Sequence, residues 1–311
     1  MICFVLIIEL NMTTLLLSSI VPILFALLGG WLLGRVVTVP IKTLAIGSIG
    51  YLVWALLMVI GYQFADVLFQ PDIGWKVLRE SFIYASILSV SSFLLLLSRP
   101  VQEHGIEHSM RDFRDLLKPL QECCMAMLMV GLGMLSYLIL PHGLHAAQFS
   151  HVLLLILIVL IGIDLSTVRL SRLTRQQIWV PCAMLLAIFI AAYIAHWLLP
   201  HSFIALLTVA SGFGWFSLSG SLVANLLGKE MGSFALLTDL IREFYGILLL
   251  FLCGRSLPRS VIGVCGATAM DSTLPFIKQN CRSQDVQLAL FSGFILTLIA
   301  PFLIVLFASL K

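Results

Sequence analysis

An all-α integral membrane protein is the fold class this 311-residue sequence predicts: about eight transmembrane helices plus two oppositely oriented re-entrant, broken-helix hairpins, with both termini outside. Three observations lead there. Hydrophobic residues make up 60% of the chain and charged residues 11%, and the mean hydropathy is +1.09, which leaves too little polar surface for a soluble globule. Apolar runs long enough to cross a hydrocarbon layer of about 30 Å as helices recur from end to end, without the polar–apolar alternation of a β-barrel. Two further runs are rich in Gly, Ser and Thr, a composition suited to helices broken inside the membrane.

Residues Met1 to Asn11 contain Glu9 and lack the basic start of a signal peptide, so the first apolar run is expected to remain as a span, with Met12 an equally good start. Spans are expected near 14–34, 43–65, 80–98, 120–140, 150–168, 178–199, 232–254 and 286–309. Arg35 and Lys42, then Arg99, Arg111, Arg114 and Lys118, then Arg169, Arg172 and Arg175 all fall on one side of that series. Cytoplasmic loops retain such residues, which puts the N-terminus outside. Runs 203–227 and 260–277 resist assignment as plain spans. If both dip in and return, Arg255, Arg259, Lys278 and Arg282 also become cytoplasmic and the C-terminus lies outside. If both cross, Arg255 and Arg259 move outside and Lys229 moves inside, a slightly worse count. Half a bilayer takes about ten helical residues, so each run has room for two half-helices and a turn. The first would enter from outside and the second from the cytoplasm. The chain thus divides into an N-terminal membrane region, 1–140, with a cytoplasmic loop at 99–118, and a C-terminal membrane region, 141–311, that holds both odd runs.

Several chemistries are poorly served. The net charge of +3 is scattered through loops and gives no reason to invoke nucleic acid. The seven cysteines, including adjacent Cys123 and Cys124, show neither metal spacing nor a disulfide pattern and read as packing residues. Neither a metal nor a cofactor is expected. His104, Glu107 and His108 match the H-x-x-E-H pattern of inverted zinc peptidases, but they lie in a polar loop, Gly105 weakens the helix such a site needs, and no third ligand follows. Ser219 in SLSGS suggests a serine protease, yet the last histidine is His201 and no later span can supply a base. A non-enzyme is expected.

The intramembrane charges are the strongest functional signal. Asp239 and Glu243 are four residues apart and share a helical face, with Arg242 beside them. Asp239 and Arg242 suit an internal i,i+3 pair, which leaves the deeper acid, Glu243, over as a candidate to exchange a proton. Asp66 ends the second span, as an intramembrane or an interfacial acid. Asp164 lies so near the Arg cluster that a boundary position fits it better. Asp271 lies inside the second odd run, among Gly266, Thr268, Thr273 and Pro275. In the first odd run, Ser211, Gly212, Gly214, Ser217, Ser219 and Gly220 are dense enough to favour a broken helix over close helix packing, whereas packing is preferred for Gly228 and Gly232.

Three stretches in this order, ASGFGWFSLSG at 210–220, TDLIRE at 238–243 and GVCGATAMDSTLP at 263–275, closely resemble the LysO lysine-exporter family of bacterial inner membranes. Over residues 12–140 the resemblance is looser and rests on hydropathy and the placing of Asp66. It implies outward termini, a pair of re-entrant loops, important intramembrane acids at Asp66 and Glu243, and export of L-lysine and toxic analogues such as thialysine. Lysine carries two ammonium groups and one carboxylate. Glu243 and Asp66 are expected to face the former, and backbone N–H groups near Gly212–Gly214 and Gly266–Thr268 the latter. Moving a cation out of a negative-inside cell costs about 2.3 kcal/mol per 100 mV, so exchange with protons is expected. The same acids would also suit an inorganic cation/proton antiporter, and an intramembrane hydrolase is a more distant alternative. Homo-oligomerisation is left open.

Overall fold

The computed structural model describes residues 21–97, 114–140, 146–166 and 175–310. The N-terminal extension, the His104–His108 motif, the His142 connection, and Arg169 and Arg172 lie outside the described residues. Among those described, the regular elements are helices: α1 (Val21–Val36), α2 (Val39–Leu68), α3 (Pro71–Leu95), α4 (Arg114–Ile139), α5 (Ala146–Leu165), α6 (Arg175–Leu198), α7 (Phe203–Ala210), α8 (Phe216–Leu227), α9 (Lys229–Cys253), α10 (Pro258–Cys265), α11 (Leu274–Asn280) and α12 (Ser283–Ser309), with a 3-10 turn at Gly266–Met270 before α11.

By length and composition, four of these can cross a membrane: Val39–Leu68, Pro71–Leu95, Gln177–Leu198 and Gln284–Ser309. Shorter apolar helices add to them, and the chain is an all-helical, multi-pass membrane protein. Several helices start ahead of the expected spans, α2 and α3 among them. The second is 39–68 where 43–65 is expected, and the third is 71–95 where 80–98 is expected. The reason is local: Lys42, and then Lys76, Arg79 and Glu80, punctuate the apolar runs but are good helix formers. Pro71 in the first turn of α3 sets where that helix starts.

Packing gathers the helices into two bundles. In one, α2 lies chiefly against α4 and α5. A Cβ at Gly61 or Gly133 would strike the carbonyls of Val130 and Met58, so α2 and α4 approach backbone to backbone. In the other, α3, α6, α9, α12 and the short helices surround a core that includes Tyr84, Phe213 and Phe234. Contacts of α8 and α9 with α2, α4 and α5 join the two.

Helix α9 is the reference axis of the second bundle. Gly220 abuts Leu236 and Gly232 abuts Ala224, so α8 runs antiparallel to the first half of α9. Just ahead of α7, His201 Nε2 lies 2.9 Å from Glu80 on α3, and its ring lies tilted against Phe234 of α9, with 4.9 Å between centroids. Both ends of the α7–α8 pair therefore sit beside the N-terminal half of α9. Beyond α11, the Cys281 thiol donates to Gly254 O at 3.4 Å. Both ends of the α10–α11 pair thus sit beside the C-terminal end of α9.

Candidate functional site

The two breaks meet halfway along α9. Asp239 lies about 15 Å along the helix from Lys229 at 1.5 Å per residue, and Arg242 faces the same region. In the first break Phe213 has φ 50° and Gly214 φ 90°, the left-handed region that a bulky Phe rarely adopts. In the second, Gly266 has φ 64°. Here the two segments touch: Ala267 N–H donates to Phe213 O at 2.9 Å. A Cβ on Gly266 would drive into that same carbonyl. Only glycine allows the crossing.

Each charge of the Asp239–Arg242 pair is directed at a different break. Asp239 is fully buried; it accepts the Gly214 N–H at 3.1 Å and the Ser219 hydroxyl at 2.5 Å. Those donors lie at the start of α8, where the helix dipole is positive. Arg242, also fully buried, donates through Nε to Val264 O at 3.1 Å and through Nη2 to Gly263 O at 3.3 Å, at the negative end of α10. The sequence allowed a plain internal ion pair; instead the two charges clamp both broken helices onto α9. Their remaining attraction keeps each compensated. One donor is left over, because Arg242 Nη1 is buried without a hydrogen-bond partner.

Glu243 serves the second break. It is 4% exposed, and its Oε1 accepts the Ser272 hydroxyl at 2.5 Å. Ser272 N–H turns back to the neighbouring Asp271 carboxylate. Asp271 is exposed, and its charge repels that of Asp164 on α5. Thr268 and Thr273 are buried and brace the turn: Thr268 Oγ1 donates to Cys265 O at 2.8 Å and Thr273 Oγ1 to Thr268 O at 3.0 Å. Arg242 and Glu243 both act electrostatically on Cys265, which places their charges around the same thiol.

The remaining expected residues fall elsewhere. Ser211 Oγ bonds its own helix at Leu207 O, 2.7 Å away, and Ser211, Gly212, Ser217 and Gly220 are wholly enclosed. The N–H groups expected to meet a carboxylate are already engaged, Gly212 with Val209 O, Gly214 with Asp239 and Ala267 with Phe213 O. Burial without water explains this, since an unpaired backbone N–H there is costly. Asp66 is not with Glu243. It pairs at 2.6 Å with Lys229 at the start of α9, about 21 Å along that helix from Glu243. The sequence places Asp164 at a boundary and marks neither Ser272 nor Lys229 as a site residue; only the i,i+1 spacing of Asp271 and Ser272 points to Ser272. Among the described residues, no group of three or more His, Cys, Asp or Glu is placed to hold a metal.

Comparison with known proteins bears on this arrangement. Residues 125–308, which take in both breaks and all of α9, match the family model described as "Lysine exporter LysO". The chain is 33% identical over 197 residues to the lysine exporter LysO of Escherichia coli strain K12, a match covering 62% of this chain and 65% of the relative. It therefore spans just under two thirds of that relative's length. It is 32% identical over 171 residues to a candidate lysine exporter of Haemophilus influenzae, covering 53% of this chain and 88% of the relative. No solved structure matches.

Proposed function

The chain belongs to the lysine exporter LysO family, and from that premise we propose that it is a secondary transporter that carries L-lysine out of the cytoplasm across the bacterial inner membrane in exchange for protons. The observation that carries this reading is the grouping of Arg242 Nη1, unpaired and buried, with Glu243 and the exposed Asp271, where two broken helices cross halfway along α9. Sites of this kind in secondary transporters form from discontinuous helices near the bilayer midplane.

The match to the cargo is chemical. The α-carboxylate and α-ammonium of lysine are adjacent, and Arg242 and Glu243 are consecutive residues of α9 whose charges are both felt at Cys265. The carboxylate takes the unfilled Nη1 donor, the α-ammonium takes Glu243, and the ε-ammonium extends to Asp271 and Asp164. Cargo bound there relieves the repulsion of those two acids. Thialysine, with the same charges on a chain of similar length, fits the same groups. A cation leaving against the membrane potential costs about 2.3 kcal/mol per 100 mV, and one proton entering in return cancels that charge. Glu243 meets the minimal requirement of an exchanger by holding either a proton or an ammonium, with Ser272 orienting it. Asp239 does not touch cargo in this scheme; it holds the first break in place.

The hairpin reading is supported by the return of each broken pair to the end of α9 at which it began, through His201–Phe234 at one end and Cys281–Gly254 at the other. With the arginine-bearing loops inside, α7–α8 opens outward, α10–α11 opens to the cytoplasm, and both termini are outside.

Proteoliposomes holding Glu243→Gln test the coupling. Gln keeps an oxygen for Ser272, so the protein is expected to fold while lysine-driven proton movement falls at least about a hundredfold, a loss of about 2.7 kcal/mol. Exchange at the wild-type rate would remove Glu243 from the mechanism.

A further inference from the structure

Asp66 and Lys229 join the two bundles at one end of the molecule, at 2.6 Å between Oδ2 and Nζ. Lys229 is the first residue of α9, where the positive end of its own helix disfavours a cation. Asp66 lies in the last turn of α2, which carries no basic residue of its own, so the ammonium is drawn to the negative end of a different helix. The link ahead of Lys229 is Gly228, with φ 93° and open space around it. The pair is half-exposed on both sides, which keeps it weak enough to break. Yet Asp66 Oδ1 is buried and has no hydrogen-bond partner. A carboxylate with one oxygen on an amine and the other enclosed and unfilled has capacity for a further N–H donor.

We infer that Asp66 is a primary-ammonium site which the chain fills with its own Lys229, and that a cationic cargo leaves the outer end of the protein by exchanging with this tethered amine. The tether presents the same group as the ε-end of free lysine, on the same four-carbon stem. While Lys229 is seated, α2 and α9 are latched together across the bundle boundary. A departing ammonium displaces it, and its return both closes the outer end and clears the carboxylate, so that external cargo meets an occupied site. The outward placing of this end rests on the export reading above; the ammonium site itself does not.

Binding of radiolabelled cadaverine, which has two primary ammonium groups and no carboxylate, to the purified full chain tests the site independently of transport. If Lys229 occupies Asp66 about nine-tenths of the time, Lys229→Met binds cadaverine about tenfold more tightly than wild type, because the competing state is gone. Lys229→Gln, equally neutral, guards against a folding fault in the first variant. Adding Asp66→Asn to either is expected to remove the gain. Equal affinity in wild type and both single variants overturns the inference, as does a gain that survives Asp66→Asn. Lysine counterflow is measured alongside: its absence in wild type, with the cadaverine gain intact, would sink the lysine reading and leave the ammonium site standing.

Discussion

The two breaks lie against the same turns of α9 and are built from similar small residues, but they satisfy their polar groups in opposite ways. In the first, residues 205–224 are buried without exception. The Asp239 carboxylate is saturated by Gly214 and Ser219, and Ser211 bonds its own helix. The second keeps Asp271 exposed and sends Ser272 to a carboxylate on another helix. Around Asp239 the donors and acceptors are paired, which rigidifies the crossing and leaves that carboxylate little to offer a ligand, while the Ser221 hydroxyl farther along α8 is buried without a partner. An exposed acid whose charge is opposed by a second acid retains the capacity to bind a cation. The serines and glycines of ASGFGWFSLSG therefore build the crossing, whereas GVCGATAMDSTLP supplies groups to the cargo.

The contrast can be broken hardest at Arg242. Arg242→Met removes the hydrogen bonds to Val264 and Gly263 and leaves Asp239 as a buried charge without its compensating partner. A loss of about 3–5 kcal/mol is expected, read as a collapse of the unfolding temperature in detergent with both breaks affected. Gly266→Ala comes next. Its φ of 64° strains any side chain, and the new methyl meets Phe213 O, so destabilisation of about 2–3 kcal/mol is expected. Gly228→Ala has a positive φ but free space, and serves as the control that separates conformational strain from lost contact between the breaks. The smallest effect is expected at Asp271→Asn. As an exposed residue it should leave the unfolding temperature within about a degree of wild type, while the lysine half-saturation in counterflow rises about tenfold, some 1.4 kcal/mol. If Asp271→Asn destabilised the protein and left half-saturation unchanged, the division between a scaffolding break and a binding break would fail.

Much of this arrangement was legible along the chain. Hydropathy identifies a helical membrane protein because lipid demands internally bonded backbone over long apolar runs. Clusters of Gly and Ser mark where helices stop, since those residues tolerate left-handed backbone and tight turns. The i,i+4 spacing of Asp239 and Glu243 puts two acids on one face of one helix. Partner choice was less legible. Asp239 and Arg242 look like each other's partners by spacing, but each engages a helix end that arrives from a distant part of the sequence. Gly214 looks like a free donor for the same reason: nothing local to residues 210–220 shows that a carboxylate from α9 already occupies its N–H.

Position along a helix misleads in the same manner for the other acids. Glu243 reads as an intramembrane acid and Asp66 as an intramembrane or an interfacial one, and the two are found apart, Asp66 paired with Lys229 and Glu243 with Ser272. Asp164 reads as a boundary acid beside an arginine cluster, yet its charge is felt by Asp271. The sequence by itself determined the membrane class, the sites of the two breaks and the helix that carries the central charges, because each follows from local composition and periodicity. Only the tertiary structure decided which polar groups are satisfied and which remain open, because that depends on contacts between segments tens to more than a hundred residues apart, such as Glu80 with His201 and Lys229 with Asp66.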